Sequence, residues 1–322
     1  MSILLLFFIY IFPYLFYIMN LISIFDLSRA EIEALIEKAI EVKRERKEGV
    51  RARNDLEGKT LAMIFEKPST RTRVSFEVAM RELGGDVTSL NWNELQLGRG
   101  ERIEETAKVF SAYVDAIMIR AFRHETVEKF ARHASIPVIN GLSDLEHPCQ
   151  TLADLMTIKE YKRQLAGVKV AWLGDGNNVC NSLIGGAAIT GMDVSVACPA
   201  GYEPDERIVE KARERGCEIL IAGTAEKAAA DADVIYTDVW VSMGDETESE
   251  KRKTDLKDYQ INEDLVRTAK EGVIVMHCMP VHIGEEITEG VMNSTNSVIF
   301  VQAENRLHAQ KALLLKLLKH RQ

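Results

Sequence analysis

The chain has few cysteines, and their spacing excludes several classes of protein. Five cysteines are scattered through 322 residues, an odd number, with no C-x-x-C pair. This pattern argues against a disulfide framework and favours reduced thiols in a cytoplasmic protein. The phosphate-binding motif G-x-x-x-x-G-K-[ST] is also absent, which excludes a Walker nucleotide site.

A surplus of positive charge is lacking as well. The chain has 40 basic and 49 acidic residues, giving a formal net charge of -9. A general nucleic-acid binder needs a basic face, so that class is disfavoured. The 46% apolar and 28% charged residues are typical of a globular protein, and the length predicts about two domains.

Residues 1–18 lack charge altogether. They contain 16 apolar residues, 7 of them aromatic, and Pro13 lies in their middle. We consider three interpretations: an extension outside the native fold with Met19 as the start, a membrane anchor, or a secretory signal. The run just reaches spanning length, but no Lys or Arg precedes Arg29 and no small-residue cleavage site follows. We therefore expect residues 1–18 to lie outside the fold and membrane contact to be unlikely.

The remaining sequence alternates between strand and helix patterns. Ser28 and Glu31 form a capping-box signal before a helix that ends near Gly49. Apolar runs predict two sets of strands, at 59–65, 116–120 and 137–140, then at 168–173, 193–198, 218–222, 233–237, 272–277 and 298–301. Helical patterns between them include 75–83, 126–133, 151–165, 206–215 and 224–230.

Buried strands alternating with helices indicate parallel sheets built from βαβ units. We therefore expect an α/β fold: two doubly wound parallel-sheet domains joined by bridging helices. The predicted divisions are a first domain at 19–150, a second at 151–304, and a C-terminal helix at 305–322 that packs back on the first domain.

The strongest chemical signal is F-E-K-P-S-T-R-T-R-V-S-F-E, between a strand and a helix. Ser69, Thr70 and Thr72 supply hydroxyls, and Arg71 offers a forked donor for phosphate oxygens. The N–H groups of a helix N-terminus add an anion site. This pattern predicts phosphate binding; the alternative is an ordinary helix cap with surface arginines.

Four further clusters follow predicted strands: H-P-C-Q at 147–150, G-D-G-N-N-V at 174–179, D-V-W-V-S-M-G at 238–244 and H-C-M-P at 277–280. Ligands of open α/β sheets bind outside the carboxyl ends of the strands, so we expect one shared cleft. The two glycines at 174–176 lack the third of a dinucleotide fingerprint, and a metal site at Cys149 lacks a matching second pair.

In this order, F-E-K-P-S-T-R-T-R-V-S-F-E, H-P-C-Q, G-D-G-N-N-V, D-V-W-V-S-M-G and H-C-M-P resemble the aspartate/ornithine carbamoyltransferase family. The resemblance runs from about Leu21 to the C-terminus. S-T-R-T-R marks carbamoyltransferases in general, whereas S-M-G after Asp238 and H-C-M-P are marks of the ornithine-specific members.

The resemblance implies a reaction: carbamoyl phosphate and L-ornithine give L-citrulline and phosphate, in arginine metabolism. It assigns carbamoyl phosphate to domain 19–150 and ornithine to domain 151–304. It implies no metal, no cofactor, and a homotrimer or assembly of trimers with shared sites. From the charge balance and the cysteines, we expect a cytoplasmic protein that binds no nucleic acid. The alternatives are another amine acceptor, such as putrescine or an acylated ornithine, or a non-catalytic homologue.

It also implies roles for individual residues. The phosphate would be held by Ser69, Thr70, Arg71 and Thr72, and the carbonyl oxygen by Thr72, Arg120 and His147. Gln150 would bind the carbamoyl amide, with further contacts from Cys278, Met279, Arg306 and the Gln96 of a neighbouring subunit. Ornithine would be bound by Asn178, Asp238, Ser242 and Met243. The catalytic set would be Arg71, Arg120, His147, Asp238 and Cys278, with Asp238 and Cys278 handling protons. A cation near Cys278 would lower its pKa.

Overall fold

Two parallel sheets, one in each half of the chain, form the frame of the protein. The computed structural model describes residues 19–241 and 246–319. The elements of the first half are α1 (Arg29–Lys47), β1 (Thr60–Phe65), α2 (Thr70–Glu82), β2 (Asp86–Asn91), α3 (Ile103–Tyr113), β3 (Ala116–Arg120), α4 (His124–His133), β4 (Val138–Leu142) and α5 (Pro148–Lys162). Those of the second are β5 (Lys169–Leu173), α6 (Asn178–Thr190), β6 (Asp193–Ala197), α7 (Glu206–Glu214), β7 (Ile219–Ala222), α8 (Ala225–Ala229), β8 (Val234–Thr237), α9 (Ser249–Leu256), α10 (Glu263–Thr268), β9 (Ile274–His277), α11 (Glu289–Met292) and α12 (Ile299–Leu318).

The order of the strands places a crevice in each sheet. The first sheet has the order β2-β1-β3-β4 and the second β7-β6-β5-β8-β9, and every pair is parallel. The chain winds outward in opposite directions from β1 and β3, and again from β5 and β8. Such switch points are where open α/β sheets bind ligands. The predicted fold class is confirmed.

The start of the described chain follows its sequence signals. The Ser28 hydroxyl accepts from the Glu31 N–H at 3.3 Å, and the Glu31 carboxylate accepts from the Ser28 N–H at 2.9 Å. The predicted capping box is therefore confirmed, and α1 buries Ile32 and Ile36. Just before it, the Leu21 N–H donates to the Val138 carbonyl, so this segment extends the β4 edge of the first sheet.

The sequence prediction missed β2. This strand pairs only with β1 within the described sheet, at its edge, and each of its residues is exposed or half-buried. Val87 and Leu90 are the apolar side chains that pack on the cores, while Asp86, Thr88 and Asn91 are exposed. A polar edge strand therefore lacks the continuous apolar run that identifies a buried strand.

The predicted strand at 298–301 is wrong, because α12 begins at Ile299 and not near residue 305. A short apolar run does not distinguish a strand from a buried helix. α12 packs on α1, α2 and α5. Buried Lys43 of α1 ties these helices together, because its Nζ donates to Glu160 Oε2 of α5 at 2.8 Å and to Asn305 Oδ1 of α12 at 2.7 Å. The C-terminal helix α12 thus packs on helices of the first half of the chain.

No helix within residues 19–241 or 246–319 is both long and apolar enough to cross a bilayer. Residues 1–18 lie outside the described residues, so their three interpretations stay predictions.

Candidate active site

A cavity of about 740 Å³ lies where the carboxyl ends of the two sheets face each other. Its walls come from segments that follow β1, β3, β5, β8 and β9, together with His147 and Gln150 of the α5 start and Arg306 of α12. Twelve of the residues named from the sequence line it: Ser69, Thr70, Arg71, Thr72, Arg120, His147, Gln150, Asn178, Asp238, Cys278, Met279 and Arg306. The expectation of one shared cleft therefore matches the geometry.

The N-terminus of α2 forms one wall. The helix begins at Thr70, earlier than the predicted residue 75, so the S-T-R-T-R motif is itself the first turn. Ser69 occupies the N-cap position, yet its side chain makes no capping hydrogen bond. The first N–H groups of a helix have no partner within the helix. The uncapped turn can therefore direct its donors at an anion in the cavity.

Two buried arginines face this turn. Arg306 donates from Nη2 to Thr72 Oγ1 at 2.7 Å and from Nη1 to Gln150 Oε1 at 2.9 Å. Arg120 ends β3 and is 8% exposed. Among the described residues, neither Arg120 Nε nor Arg306 Nε has a hydrogen-bond partner. Burial, with the charges of Arg306 and Arg71, lowers the pKa of Arg120 to about 10. The wall is a desolvated cationic cluster that an anion would stabilise.

His147 stands at the start of α5, where Pro148 occupies the first turn. Its backbone N–H donates to Ser182 Oγ at 2.7 Å, which fixes the backbone entering the helix. The ring is buried, and Nδ1 has no partner among the described residues. Burial, and then the charges of Arg306 and Arg120, hold the pKa of His147 well below its usual range. The imidazole is therefore neutral near pH 7 and offers one N–H donor.

Asp238 and Cys278 form the opposite wall, after β8 and β9. Cys278 Sγ donates to Asp238 Oδ1 at 2.8 Å, and that oxygen also accepts from the Val239 N–H at 2.8 Å. Burial, and then the Asp238 charge, raise the pKa of the Cys278 thiol well above its usual range. The thiol pKa is thus raised and not lowered, because the group is buried and its nearest charge is the Asp238 carboxylate.

The two asparagines after β5 have different positions. Asn177 caps α6 through its Oδ1 and donates from Nδ2 to Asp238 Oδ2 at 2.8 Å. Asn178 lines the cavity, and its Nδ2 donates to the Ser143 carbonyl. Asn177 therefore orients the acidic wall, and of the two asparagines Asn178 is the better candidate for ligand contact.

Asp238, His277 and Cys278 each place one possible metal-ligand atom within 4.8 Å of the others. Both nitrogens of His277 are already engaged, however. Nδ1 accepts from the Met279 N–H at 2.8 Å, so Nε2 carries the proton that it shares with Glu286 at 3.0 Å. His277 therefore has no free nitrogen to offer a metal, and it supports the loop through Met279 and Glu286 instead.

Some predicted residues are not brought together. Gln96 is exposed in a 3₁₀ turn and lies outside the cavity lining of the described chain. Ser242 and Met243 lie outside the described residues. Sequence reasoning missed Lys67 and Lys253, which also line the cavity. Lys67 was visible inside the phosphate motif, whereas Lys253 lies in α9 and carries no local signal.

Two family models match the chain. The carbamoyl-P binding domain of the aspartate/ornithine carbamoyltransferases matches residues 19–160, and their Asp/Orn binding domain matches residues 166–317. The chain belongs to this family. It is 57% identical to the ornithine carbamoyltransferase of Methanosarcina mazei over 300 residues, covering 93% of this chain and 99% of that protein. Identity to the ornithine carbamoyltransferase of Archaeoglobus fulgidus is 54% over 299 residues, covering 93% and 97%.

The fold is also similar to a solved ornithine carbamoyltransferase from Pyrococcus furiosus. The TM-score is 0.90 with 52% identity, over 94% of this chain and 98% of that one. The resemblance drawn from the motifs to the aspartate/ornithine carbamoyltransferases is confirmed.

Proposed function

We propose that this cavity transfers the carbamoyl group of carbamoyl phosphate to the δ-amine of L-ornithine, giving L-citrulline and phosphate. The predicted enzyme class, an ornithine carbamoyltransferase, is confirmed by the names of the relatives. The observation that carries the proposal is the pairing of walls in one cavity. An uncapped helix start and buried arginines face a carboxylate–thiol pair.

The cationic wall suits the phosphate. Ser69, Thr70, Arg71 and Thr72 surround the start of α2, where a dianion would meet backbone N–H groups, hydroxyls and a forked guanidinium. Phosphate is the leaving group, so its charge grows as the bond to the carbamoyl carbon breaks. Stabilising that charge in a water-poor site accelerates the reaction.

The carbamoyl group would lie beside this wall. Arg120, His147 and Thr72 all line the cavity and would donate to the carbonyl oxygen, where negative charge develops in the tetrahedral intermediate. A neutral His147 suits this role, because it donates without adding a further charge to the arginine cluster. Gln150 and Arg306 would complete the contacts to the carbamoyl group, together with Met279.

The acidic wall would receive ornithine. Its neutral δ-nitrogen forms a bond to the carbamoyl carbon, the carbon–oxygen bond to phosphate breaks, and the nitrogen loses one proton. Asp238 is the better acceptor for that proton. The Cys278 thiol is protonated and itself donates to Asp238. Asn178 would contact the α-carboxylate, and Ser242 and Met243 would help to position the amino acid.

The assembly and the cellular role are further parts of the proposal. A homotrimer, or an assembly of trimers, in the cytoplasm would let the exposed Gln96 of one subunit reach the cavity of its neighbour. The role would be arginine biosynthesis. The family-model matches support a carbamoyl phosphate domain at 19–150 and an ornithine domain at 151–304.

Amine specificity tests the proposal. With carbamoyl phosphate fixed, L-ornithine, putrescine and an Nα-acylated ornithine are compared by the ureido product that each forms. We expect ornithine to be preferred, and Asp238→Asn to lose most activity with all three. Asp264→Asn, an exposed carboxylate on α10, serves as the control. Preference for putrescine or for the acylated ornithine would overturn the assignment of the acceptor.

A further inference from the structure

A buried carboxylate lies just behind the cavity. Asp154 of α5 is fully buried, four residues after Gln150, and is not among the residues that line the cavity of the described chain. Its Oδ1 accepts from Gln150 Nε2 at 2.8 Å and from Gln302 Nε2 at 2.7 Å. Its Oδ2 accepts from the Tyr236 hydroxyl at 3.0 Å. One side chain thereby joins α5, α12 and β8.

The surrounding donors determine which way both amides point. The His277 backbone N–H, which can only donate, points at Gln302 Oε1 at 2.8 Å, so the Gln302 amino group faces Asp154. Arg306, which likewise only donates, points at Gln150 Oε1 at 2.9 Å. The Gln150 amino group therefore also faces Asp154. In either glutamine a reversed amide would set donor against donor.

This arrangement turns the Gln150 carbonyl oxygen away from Asp154 and toward Arg306, which also lines the cavity. A carbamoyl group carries an NH₂ that can only donate, so it needs an acceptor there. An amide rotated by half a turn would present its own NH₂ and repel the ligand. We propose that Asp154 is a positioning residue that holds Gln150 with its carbonyl oxygen toward the cavity, where it accepts from the carbamoyl NH₂. This inference rests on the proposed function.

The role requires an acceptor at Oδ1 and not a full charge. Burial raises the pKa of Asp154 to about 7, against the effect of its three donors. When Asp154 is protonated, its proton must sit on Oδ2, since Oδ1 already receives two donors. The Tyr236 oxygen can then accept that proton. Asparagine can reproduce this arrangement, with its oxygen toward Gln150 and its NH₂ toward Tyr236. Leucine cannot.

The experiment compares Asp154→Asn with Asp154→Leu at saturating ornithine. Carbamoyl phosphate is the substrate, and acetyl phosphate, which has a methyl group in place of the NH₂, is a competitive inhibitor. We expect Asp154→Leu to lower kcat/KM for carbamoyl phosphate by about 10- to 100-fold, the value of one lost hydrogen bond in a buried site. The inhibition constant of acetyl phosphate should change less than about 3-fold, since its methyl group makes no such bond. Asp154→Asn should retain most of the carbamoyl phosphate activity.

Two results would overturn the inference. One is an equal loss of carbamoyl and acetyl phosphate affinity in Asp154→Leu, which would indicate general damage to the site. The other is Asp154→Asn behaving like Asp154→Leu, which would indicate that charge matters and not the acceptor. Gln302→Met is the matched control, because it breaks the other half of the network and should leave the discrimination unchanged. If the leucine protein does not fold, Asp154→Ser, whose hydroxyl is too short to reach Gln150, provides the same comparison. Failure of the wild type to form citrulline would instead contradict the proposed function.

Discussion

Replacing Arg120 with methionine should make the ligand-free protein more stable while removing its response to phosphate. The buried setting holds the pKa of Arg120 at about 10, well below its ordinary value. Each pKa unit corresponds to about 1.4 kcal/mol, so the charge costs the folded state about 3 kcal/mol. At pH 7 Arg120 is protonated both folded and unfolded, so this cost is fully present. It declines only as the pH rises through 10.

Methionine keeps most of the apolar stem of Arg120 and removes the charge. We expect the free energy of unfolding of Arg120→Met to rise by up to about 3 kcal/mol, or about 5 °C in Tm. Phosphate at about 100 times its Kd should stabilise the wild type by about 2.7 kcal/mol and the variant by much less. Citrulline formation should fall steeply, because a donor to the carbonyl oxygen is lost.

The assay is thermal unfolding with and without inorganic phosphate, at one fixed protein concentration. Arg123→Met is the matched control, since Arg123 is an exposed arginine whose side chain is 79% exposed. It removes the same charge outside the cavity and should change neither quantity by much. A ligand-free Arg120→Met protein less stable than the wild type, or one that phosphate stabilises fully, would refute the reasoning.

Three further predictions concern the rest of the site. Burial and the arginine charges lower the pKa of His147. Near pH 6 the unfolded chain therefore binds a proton that the folded chain does not. The free energy of unfolding should decrease as the pH is lowered, by up to about 1.4 kcal/mol per pH unit. In His147→Gln the free energy of unfolding should depend less on pH between pH 7 and 5. A slope against pH equal to that of the wild type would contradict this. The raised pKa of Cys278 predicts that iodoacetamide alkylates this thiol slowly at pH 7.5 in the native protein. Mass spectrometry measures the rate of labelling. Rapid labelling there would indicate a thiolate. If subunits share sites, mixing inactive Gln96→Ala and Arg120→Met trimers after reversible dissociation should restore about a quarter of wild-type activity, and no recovery would exclude sharing.

Much of the fold was predictable because its strands are buried on both faces. β1 and β3 are almost entirely apolar and read as continuous runs. The errors occurred where that rule does not apply. β2 is a polar edge strand, and the apolar run at 298–301 belongs to a helix buried among other helices.

The candidate site was partly predictable for a similar reason. Residues that follow the ends of parallel strands converge, so motifs far apart in sequence could be placed together. The hydrogen-bond network behind the cavity could not be predicted from the sequence. Asp154 meets Tyr236 across 82 residues and Gln302 across 148, and nothing local to any of the three indicates that contact. The protonation of Cys278 also depends on such a neighbour, because the Asp238 charge becomes visible only in three dimensions.

The most direct test of the central claim is citrulline formation by the purified protein from carbamoyl phosphate and L-ornithine. Phosphate release is measured in the same reaction. We predict one phosphate per citrulline, the same rate for the full chain and for a chain beginning at Met19, and a loss of at least about 100-fold in Arg71→Ala, where one charged phosphate contact is removed. Absence of citrulline in the wild type, or full activity in Arg71→Ala, would contradict the account.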